Sequence, residues 1–389
     1  MKLYQPFMVL LWMWSFSAIS FAQLDPTEKK LAQYVDDHND EAVTLLKEVV
    51  NINSGSMNLA GVKRVGGVFM EQFKALGMEV QWLDGKAFNR AGHLVAKVEG
   101  GKGKKIMLIG HLDTVFEEDS PNQEWRRIDE NILKGPGIAD MKGGDVVILQ
   151  ALSALHDAGL LKDMNITVVM TGDEESSGRP LNLSKAALVE AAEWADIALG
   201  FENGDGDPTT AIVARRSSSG WKLTVTGNAS HSSQIFKPKV GAGAIYEASR
   251  ILYQFYAELS TEEYLTFNPG MFLGGTTVTH DGKDEGTAFG KRNVVAKDVT
   301  VTGDIRCLSP EQLRKTQAKM NNIVAKHLPQ TEATITFGEG YPPFAPTAGN
   351  KELLGKFSKV SQDLGFGPVT PVNPSNAGAA DISFTSGLV

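Results

Sequence analysis

Cysteine is nearly absent from this sequence, since Cys307 is the only one among its 389 residues. An intrachain disulfide framework and a cysteine-rich zinc site are both excluded, because each requires several cysteines. Runs of lysine or arginine are absent too, and 46 acidic residues outnumber 38 basic ones, which gives a formal net charge of −8. Nucleic acid is therefore disfavoured as a partner, because neutralising phosphates requires a basic face. If a metal ion is bound, histidine and carboxylate side chains must hold it.

Long apolar runs are scarce as well, and only the N-terminus carries one. Lys2 is followed by the almost wholly apolar residues 7–21, and the run ends in small residues, the last of them Ala22, where a signal peptidase cleaves. The run is short for a membrane span, which favours a signal peptide over a membrane anchor. We expect residues 1–22 to be removed before Gln23 and the mature protein to be periplasmic or secreted, without membrane contact.

The composition is that of a folded protein with about two domains. Hydrophobic residues make up 42% and charged residues 22% of the chain, and its length exceeds what one hydrophobic core usually supports. Buried-strand and helix patterns alternate up to Phe201, which indicates an α/β domain with a mixed, mostly parallel sheet and helices on both faces. After Pro208 the order becomes β-α-β-β-α-β, which is typical of an α+β sandwich. We predict one domain from residues 23–208 and 340–389, and a second, residues 209–339, inserted into it.

The element boundaries are predicted from apolar periodicity and from glycine and proline positions. Helices are expected at Asp25–Asn51, Val62–Leu76, Asp145–Ala158, Lys185–Ala195, Lys239–Leu259 and Pro310–His327. Strands are expected at Lys105–Gly110, Asn165–Thr171, Ile197–Phe201, Ala211–Thr226, Thr276–Thr279 and Val294–Asp304. The last residues, 381–389, indicate a helical turn and then the start of a strand. Because such an end leaves a strand edge without neighbours, we expect the natural chain to continue past Val389.

Histidine and acidic side chains stand near successive strand ends of the first domain. In an open α/β sheet, residues just past the carboxyl ends of the strands line the ligand crevice. A histidine there can bind a metal, and a carboxylate two residues later can fix its ring. One histidine with several carboxylates suits a hydrolytic zinc pair. The candidates are His111, Asp113, Asp140, Glu174, Glu175 and Glu202.

Each candidate also has a simpler interpretation when it is taken alone. His111 could be a core or surface histidine, and Asp140 could be the N-cap of a helix. Glu174 and Glu175 could form an acidic solvated turn. The recurrence of these side chains at four successive positions is harder to explain by chance than any single one.

Three motifs resemble a known enzyme family. They are Gly110-His111-Leu112-Asp113-Thr114-Val115, Gly137-Ile138-Ala139-Asp140-Met141-Lys142-Gly143-Gly144 and Gly172-Asp173-Glu174-Glu175. Their order and spacing resemble the di-zinc peptidases of the glutamate carboxypeptidase, acetylornithine deacetylase and succinyl-diaminopimelate desuccinylase family, and most of all its secreted glutamate-carboxypeptidase-like members. The resemblance implies a zinc-dependent hydrolase that cleaves an amide bond next to a free carboxylate. The substrate would be a small peptide, for a carboxypeptidase or other exopeptidase, or an N-acyl amino acid, for a deacylase.

The resemblance also implies the ligands of the metal ions. Two Zn²⁺ per subunit are expected, with Co²⁺ or Mn²⁺ as alternatives. His111 and Glu202 would bind one ion, Glu175 would bind the second, and Asp140 would bridge both. A cis peptide bond between Asp140 and Met141 is implied as well. Glu174 would be the general base that activates the metal-bridging water, and Asp113 would orient His111.

The inserted domain would pair two subunits into a homodimer and lend residues across it. By resemblance, His231 would reach the partner's site and stabilise the oxyanion, whereas without the resemblance it would be a surface loop residue. Asn293 and Arg306 match positions associated with binding the carbonyl or carboxylate of the substrate. Arg306 could equally be a structural partner of Asp304.

Two positions depart from the family pattern. Tyr341 stands where glutamate-releasing members carry an arginine, which argues against C-terminal glutamate as the released residue. The family's last histidine ligand would also lie past Val389, and no histidine follows His327. Three hypotheses follow: a truncated copy of an active di-zinc peptidase, a catalytically impaired or non-catalytic dimeric relative, and a different metal hydrolase such as a phosphoesterase. Glu174 favours the first, because a binding protein needs no general base.

Overall fold

A computed structural model of the chain describes residues 24–121, 123–283 and 285–389. The predicted signal peptide, residues 1–22, lies outside the described residues. The helices are α1 (Pro26–Asp37), α2 (Asn39–Val50), α3 (Leu59–Ala75), α4 (Gly143–Asp157), α5 (Leu181–Ser184), α6 (Ala186–Trp194), α7 (Ala244–Leu259), α8 (Pro310–Val324) and α9 (Ala348–Asp363). The strands are β1 (Glu79–Asp84), β2 (Gly92–Glu99), β3 (Lys102–His111), β4 (Arg126–Arg127), β5 (Leu133–Lys134), β6 (Met164–Thr171), β7 (Ile197–Gly200), β8 (Thr210–Ala211), β9 (Ser219–Gly227), β10 (Thr266–Gly275), β11 (Thr277–His280), β12 (Gly286–Phe289), β13 (Asp298–Arg306), β14 (Thr331–Phe337) and β15 (Thr370–Pro371).

The first sheet has the strand order β1-β2-β6-β3-β7. β3 pairs in parallel with both β6 and β7, while β2 is antiparallel to β1 and β6. Four of the five strands therefore run in the same direction, which confirms the predicted mixed, mostly parallel sheet. Leu108 of β3 packs into the core formed with α3 and α4, whereas Met107 and Ile109 pack with α6 on the opposite face. This period-2 alternation in β3 is why helices cover both faces.

The second sheet has the order β10-β13-β9-β14, and each neighbouring pair is antiparallel. Helices α7 and α8 share one core with β9 and β13, in which Phe255, Leu223 and Val301 are buried. The order β9-α7-β10-β13-α8-β14 is the predicted β-α-β-β-α-β pattern, with a hairpin of β11 and β12 added between β10 and β13. The domain boundaries at 208 and 340 stay a prediction.

Several predicted boundaries are wrong for local reasons. The single helix expected at Asp25–Asn51 is divided at His38, whose backbone leaves helical geometry and whose Nδ1 lies 2.8 Å from the carbonyl oxygen of Tyr34. The helix expected from Lys239 begins only at Ala244, because Gly241 and Gly243 adopt positive φ values of 71° and 76°.

The strand expected near the C-terminal end is also wrong. Asp381–Thr385 forms a short 3₁₀ turn, and the amide of Leu388 then donates to the carbonyl of Thr385. Gly387 between them has a φ of 80°, so the backbone turns there and does not extend.

The carboxyl ends of β3, β6 and β7 meet at one edge of the first sheet. His111 at the end of β3 pairs with Thr171 at the end of β6, and Ile109 pairs with Gly200 at the end of β7. The loops after these strands therefore leave from the same place, where a crevice is expected in an open α/β sheet. Along the described residues, no helix combines the length and the apolar character needed to cross a bilayer.

Candidate metal centre

His111 lies at the centre of a cluster of carboxylates. Its Nε2 atom is 3.0 Å from Oδ1 of Asp140 and 3.3 Å from Oε2 of Glu202. The three side chains offer ligand atoms within 4.8 Å of one another. His111 is 1% exposed, so its ring is held inside the protein while Asp140 remains 44% exposed. The cluster therefore opens to solvent on the side of Asp140.

Asp140 reaches this cluster from a turn that precedes α4. Gly137 starts the turn with a φ of 69°, and the added Cβ of another residue there would lie 2.4 Å from the Thr114 methyl carbon. The Asp140–Met141 peptide bond is cis, as the resemblance implies. α4 has no side-chain cap, so the alternative of Asp140 as its N-cap does not hold. The carboxylate faces His111 instead.

Asn203 and Arg215 belong to this site although the sequence did not single them out. Asn203 donates from Nδ2 to Oδ2 of Asp140 at 3.1 Å, and its backbone amide donates to Oε1 of Glu202 at 3.0 Å. Arg215 is buried and donates to the carbonyl oxygens of Gly378 and Asn203. The one signal for Asn203 is its position directly after Glu202. Arg215 carries no such signal, because it is distant from the motifs in sequence.

Asp113 connects the His111 strand end to the loop after β6. Its Oδ1 lies 3.5 Å from Nδ1 of His111, whose closer partner is the Asp113 carbonyl oxygen at 3.0 Å. Oδ1 also accepts from the Glu174 amide at 3.0 Å, and Oδ2 accepts from the Glu175 amide at 3.1 Å and from the Ser56 hydroxyl at 2.6 Å. Asp113 therefore fixes the backbone of the loop as well as facing the histidine ring.

The loop after β6 is anchored from further sides. Nδ1 of the buried His93 accepts from the Gly172 amide, while its Nε2 lies 2.7 Å from the carbonyl oxygen of Ser184. The Asp173 carboxylate accepts from the Gly178 amide and the Ser184 hydroxyl. Because so many backbone groups are held, the direction in which Glu174 leaves the loop is fixed before any substrate arrives.

The two glutamates of this loop differ in their surroundings. The structure gives the Glu174 carboxylate no hydrogen-bond partner among the described residues, and burial, together with the charge of Asp381, raises its pKa well above its usual range. Burial and the charge of Asp140 raise the pKa of Glu175 to about 7. Glu175 stands outside the group formed by His111, Asp140 and Glu202. The charge of His111 lowers the pKa of both carboxyl groups, though by less than burial raises it, so both lie near the same centre.

The donor set fits a divalent metal ion. One imidazole and two carboxylates converge, which is the ligand chemistry that zinc accepts without cysteine. Oε1 of Glu175 is buried without a hydrogen-bond partner in the described part of the chain, so it has a free acceptor to offer. Burial by itself lowers the pKa of His111, but the carboxylates of Asp113 and Asp140 outweigh it and raise that pKa. A cation would relieve the same accumulation of negative charge.

The three residues expected to act across a dimer lie in the second sheet region. His231 is exposed, its Nδ1 lies 2.9 Å from the Ser233 hydroxyl, and it forms an isolated bridge with Val294. Asn293 is therefore its close neighbour. Arg306, at the end of β13, pairs with Asp304 at 3.1 Å, which is the structural alternative for this residue. Among the described residues, no hydrogen bond or ion pair joins these three to the cluster around His111.

Comparison with known proteins identifies the family. The profile described as "Peptidase family M20/M25/M40" matches residues 107–388. Carboxypeptidase G2 of Pseudomonas sp. (strain RS-16) is 26% identical over 336 residues, which cover 86% of this chain and 76% of that protein. The succinyl-diaminopimelate desuccinylase of Alkalilimnicola ehrlichii is 24% identical over 325 residues, with 81% and 80% coverage.

Solved structures share the fold. The aminopeptidase PepT of Bacillus cereus matches with a TM-score of 0.68 and 20% identity, over 90% of this chain and 87% of that one. The M20 family metallo-carboxypeptidase Sso-CP2 of Sulfolobus solfataricus matches with a TM-score of 0.62 and 16% identity, over 88% of each chain. The resemblance carried by the three motifs is thus confirmed, as is the expectation of a hydrolase. The chain belongs to the peptidase family M20/M25/M40 and is a hydrolase of peptidase or deacylase type.

Proposed function

We propose that this protein hydrolyses an amide bond next to a free carboxylate, as a metal-dependent exopeptidase or N-acyl-amino-acid deacylase. The observation that carries the proposal is the Glu174 carboxylate, which has no hydrogen-bond partner among the described residues and stands on a loop anchored by Asp113, beside the group formed by His111, Asp140 and Glu202. Residues 111, 140 and 202 would hold a first Zn²⁺, and Glu175 would contribute to a second. When bound, zinc supplies Lewis-acid chemistry, which polarises a carbonyl and makes water more acidic.

Glu174 acts as the base and then as the acid of the reaction. Its carboxylate takes a proton from the attacking water, the new C–O bond forms at the substrate carbonyl, and the C–N bond breaks. The same carboxyl group then gives its proton to the departing amine. Asp113 holds the Glu174 amide, so the carboxylate keeps its place during both transfers.

The experiment compares the wild type with Glu174→Gln on a panel of dipeptides and N-succinyl and N-acetyl amino acids. We expect zinc-dependent release of an amino acid, lost by at least 100-fold in the variant because the proton acceptor is gone. Glu193→Gln, at an exposed glutamate of α6, is the matched control and should retain full activity. Equal rates for wild type and Glu174→Gln would refute the assignment.

A non-catalytic relative that binds metal is the second candidate. The observation in its favour is that the group of ligand atoms within 4.8 Å of one another contains His111, Asp140 and Glu202 but not Glu175. The same assay decides between the two, together with a zinc count on purified protein. A folded wild type that binds zinc and cleaves nothing on the panel would support this candidate over the enzyme.

We also propose a homodimer in which His231 serves the partner's site. The support is its exposed position in the second sheet region, where no hydrogen bond or ion pair among the described residues joins it to the cluster around His111. A mixture of Glu174→Gln and His231→Ala proteins tests it, because subunit exchange creates heterodimers with one intact site. We expect the mixture to regain about a quarter of wild-type activity, although each variant alone is inactive. No recovery after subunit exchange would contradict the shared site.

Export is proposed from the sequence alone, on the apolar residues 7–21 and the small residue Ala22. N-terminal sequencing of protein recovered from the periplasm or medium should give Gln23 as the first residue. Protein found in the cytoplasm with an intact N-terminus would contradict the proposal.

A further inference from the structure

Tyr341 contacts the backbone of the loop that carries Glu174. Its hydroxyl donates to the backbone carbonyl oxygen of Glu174 at 2.6 Å, while the Ser177 hydroxyl is 3.3 Å away. The Tyr341 backbone is held by two hydrogen bonds with Ser218, and its ring packs against Phe384 with 5.2 Å between ring centroids. Tyr341 therefore contacts the loop although it lies 167 residues after Glu174 in the chain.

A buried ion cluster supports Tyr341 from the other side. Nζ of Lys185 lies 3.0 Å from a carboxylate oxygen of Asp173 and 3.0 Å from one of Asp381. The other oxygen of Asp381 accepts from the Thr171 hydroxyl, at the end of β6. Lys185 also lies over the ring of Tyr341, 5.7 Å from its centroid. The cluster therefore ties the C-terminal turn to Thr171 and Asp173, at the start of the loop that carries Glu174.

The protonation states favour this arrangement. Burial and the nearby carboxylates of Asp381 and Glu174 raise the pKa of the Tyr341 hydroxyl, so it keeps its proton and remains a donor. Burial by itself lowers the pKa of Lys185, but Asp381 and Asp173 outweigh it and keep the ammonium charged. Separating Lys185 from its two carboxylates would leave a buried charge without a partner, which is costly, so the cluster keeps one geometry.

We propose that Tyr341, supported by Lys185 and Asp381, is a positioning residue that fixes the Glu174 backbone and so aims the Glu174 carboxylate. The inference rests on the proposed role of Glu174 as the general base. Tyr341 acts on the reaction through the loop and not through contact with the substrate. The Asp113 carboxylate accepts from the backbone amides of Glu174 and Glu175, and the Tyr341 hydroxyl donates to the Glu174 carbonyl oxygen. The two side chains therefore hold the N–H and C=O groups of the same short segment.

Tyr341→Phe tests this, because it removes only the hydroxyl. We expect kcat to fall about tenfold while KM stays within about twofold, since a loosened base is misplaced in the transition state but substrate binding is untouched. Zinc content should not change. Tyr253→Phe, the same substitution at an exposed tyrosine of α7, is the matched control and should behave as the wild type.

A second measurement does not depend on activity. In metal-free protein, amide hydrogen exchange of residues 171–178 should become about tenfold faster in Tyr341→Phe, because one anchor of the loop is lost. A rise in KM with unchanged kcat and unchanged exchange would identify a substrate contact and overturn the proposal. Unchanged kcat and exchange would overturn it as well. If the wild type hydrolyses nothing, the proposed function fails separately, and the exchange rates still decide whether Tyr341 holds the loop.

Discussion

Replacing Asp113 by asparagine should cost more stability than its small chemical change suggests. The carboxylate of Asp113 is fully buried and accepts three hydrogen bonds. Its two oxygens each face a backbone amide of the loop after β6, that of Glu174 at Oδ1 and that of Glu175 at Oδ2. In either orientation, the NH₂ group of an asparagine must therefore point at an N–H group.

The expected loss of stability follows from placing two hydrogen-bond donors, the new NH₂ group and a backbone N–H, opposite each other. The variant loses one hydrogen bond to a charged acceptor, worth about 1.5–3 kcal/mol, and leaves a buried N–H unpaired. The Ser56 hydroxyl can rotate to accept from the new NH₂ group, so this partner need not be lost. We expect Asp113→Asn to lower the free energy of unfolding by about 3 kcal/mol. Ser56→Ala also removes one hydrogen bond to the carboxylate but leaves no donor unpaired, so it should cost only about 1.5 kcal/mol.

Urea unfolding of the metal-free proteins in EDTA, followed by circular dichroism, measures these differences. If the slope of the unfolding free energy against urea concentration is the same in each variant, the unfolded states are comparable. Asp119→Asn, at an exposed aspartate, is the matched control and should unfold like the wild type. Zinc affinity should fall as well, because a carboxylate that orients a metal-binding histidine typically contributes about 10- to 100-fold to that affinity.

One result would refute the reasoning. If Asp113→Asn destabilises the protein no more than Ser56→Ala does, the two amides of the loop do not depend on the carboxylate. The loop would then be held by its other anchors alone.

Other predictions concern the thiol, the metal cluster and the second core. Burial raises the pKa of Cys307 to about 11, so iodoacetamide should not modify the folded protein near pH 8, and mass spectrometry showing rapid native labelling would contradict this. In the unfolded chain the pKa of the thiol is about 8.5. The stability gained by burying the neutral thiol is therefore complete below about pH 8.5 and is lost as the pH rises toward about 11. Asn203→Leu removes the amide that holds Asp140 and should weaken zinc binding about 10-fold in a chelator competition, with equal affinity as the contrary result. Phe255→Ala opens the core between α7 and β9 and should cost about 3–5 kcal/mol in urea unfolding, and a loss below about 1 kcal/mol would show that the core collapses to fill the space.

Much of the fold follows from local patterns in the sequence. The short apolar run that ends at Gly110 predicts a buried strand, and it becomes β3, which lies between β6 and β7 and is packed on both faces. Because parallel strands end at the same edge of a sheet, the positions of His111, Glu174 and Glu202 after successive strands predicted that they would meet there. The β-α-β-β-α-β order of the second sheet could be read in the same way.

The contacts that organise the site could not be read in this way. Glu174 and Glu175 are adjacent in sequence, yet the Glu174 carbonyl oxygen accepts from the distant Tyr341 hydroxyl, whereas Oε1 of Glu175 is buried without a hydrogen-bond partner among the described residues. Helix starts such as Ala244 depend on glycine conformations that apolar spacing does not encode.

The sequence by itself determined the family of this protein and its candidate site residues, because each motif joins the end of a strand to the side chains that follow it within one short segment. The tertiary structure decided how those side chains are held. Tyr341 reaches the Glu174 carbonyl across 167 residues, and Asp381 reaches Thr171 across 210. Hydrogen bonds of that separation depend on how two distant segments pack, and no periodicity within either segment specifies them.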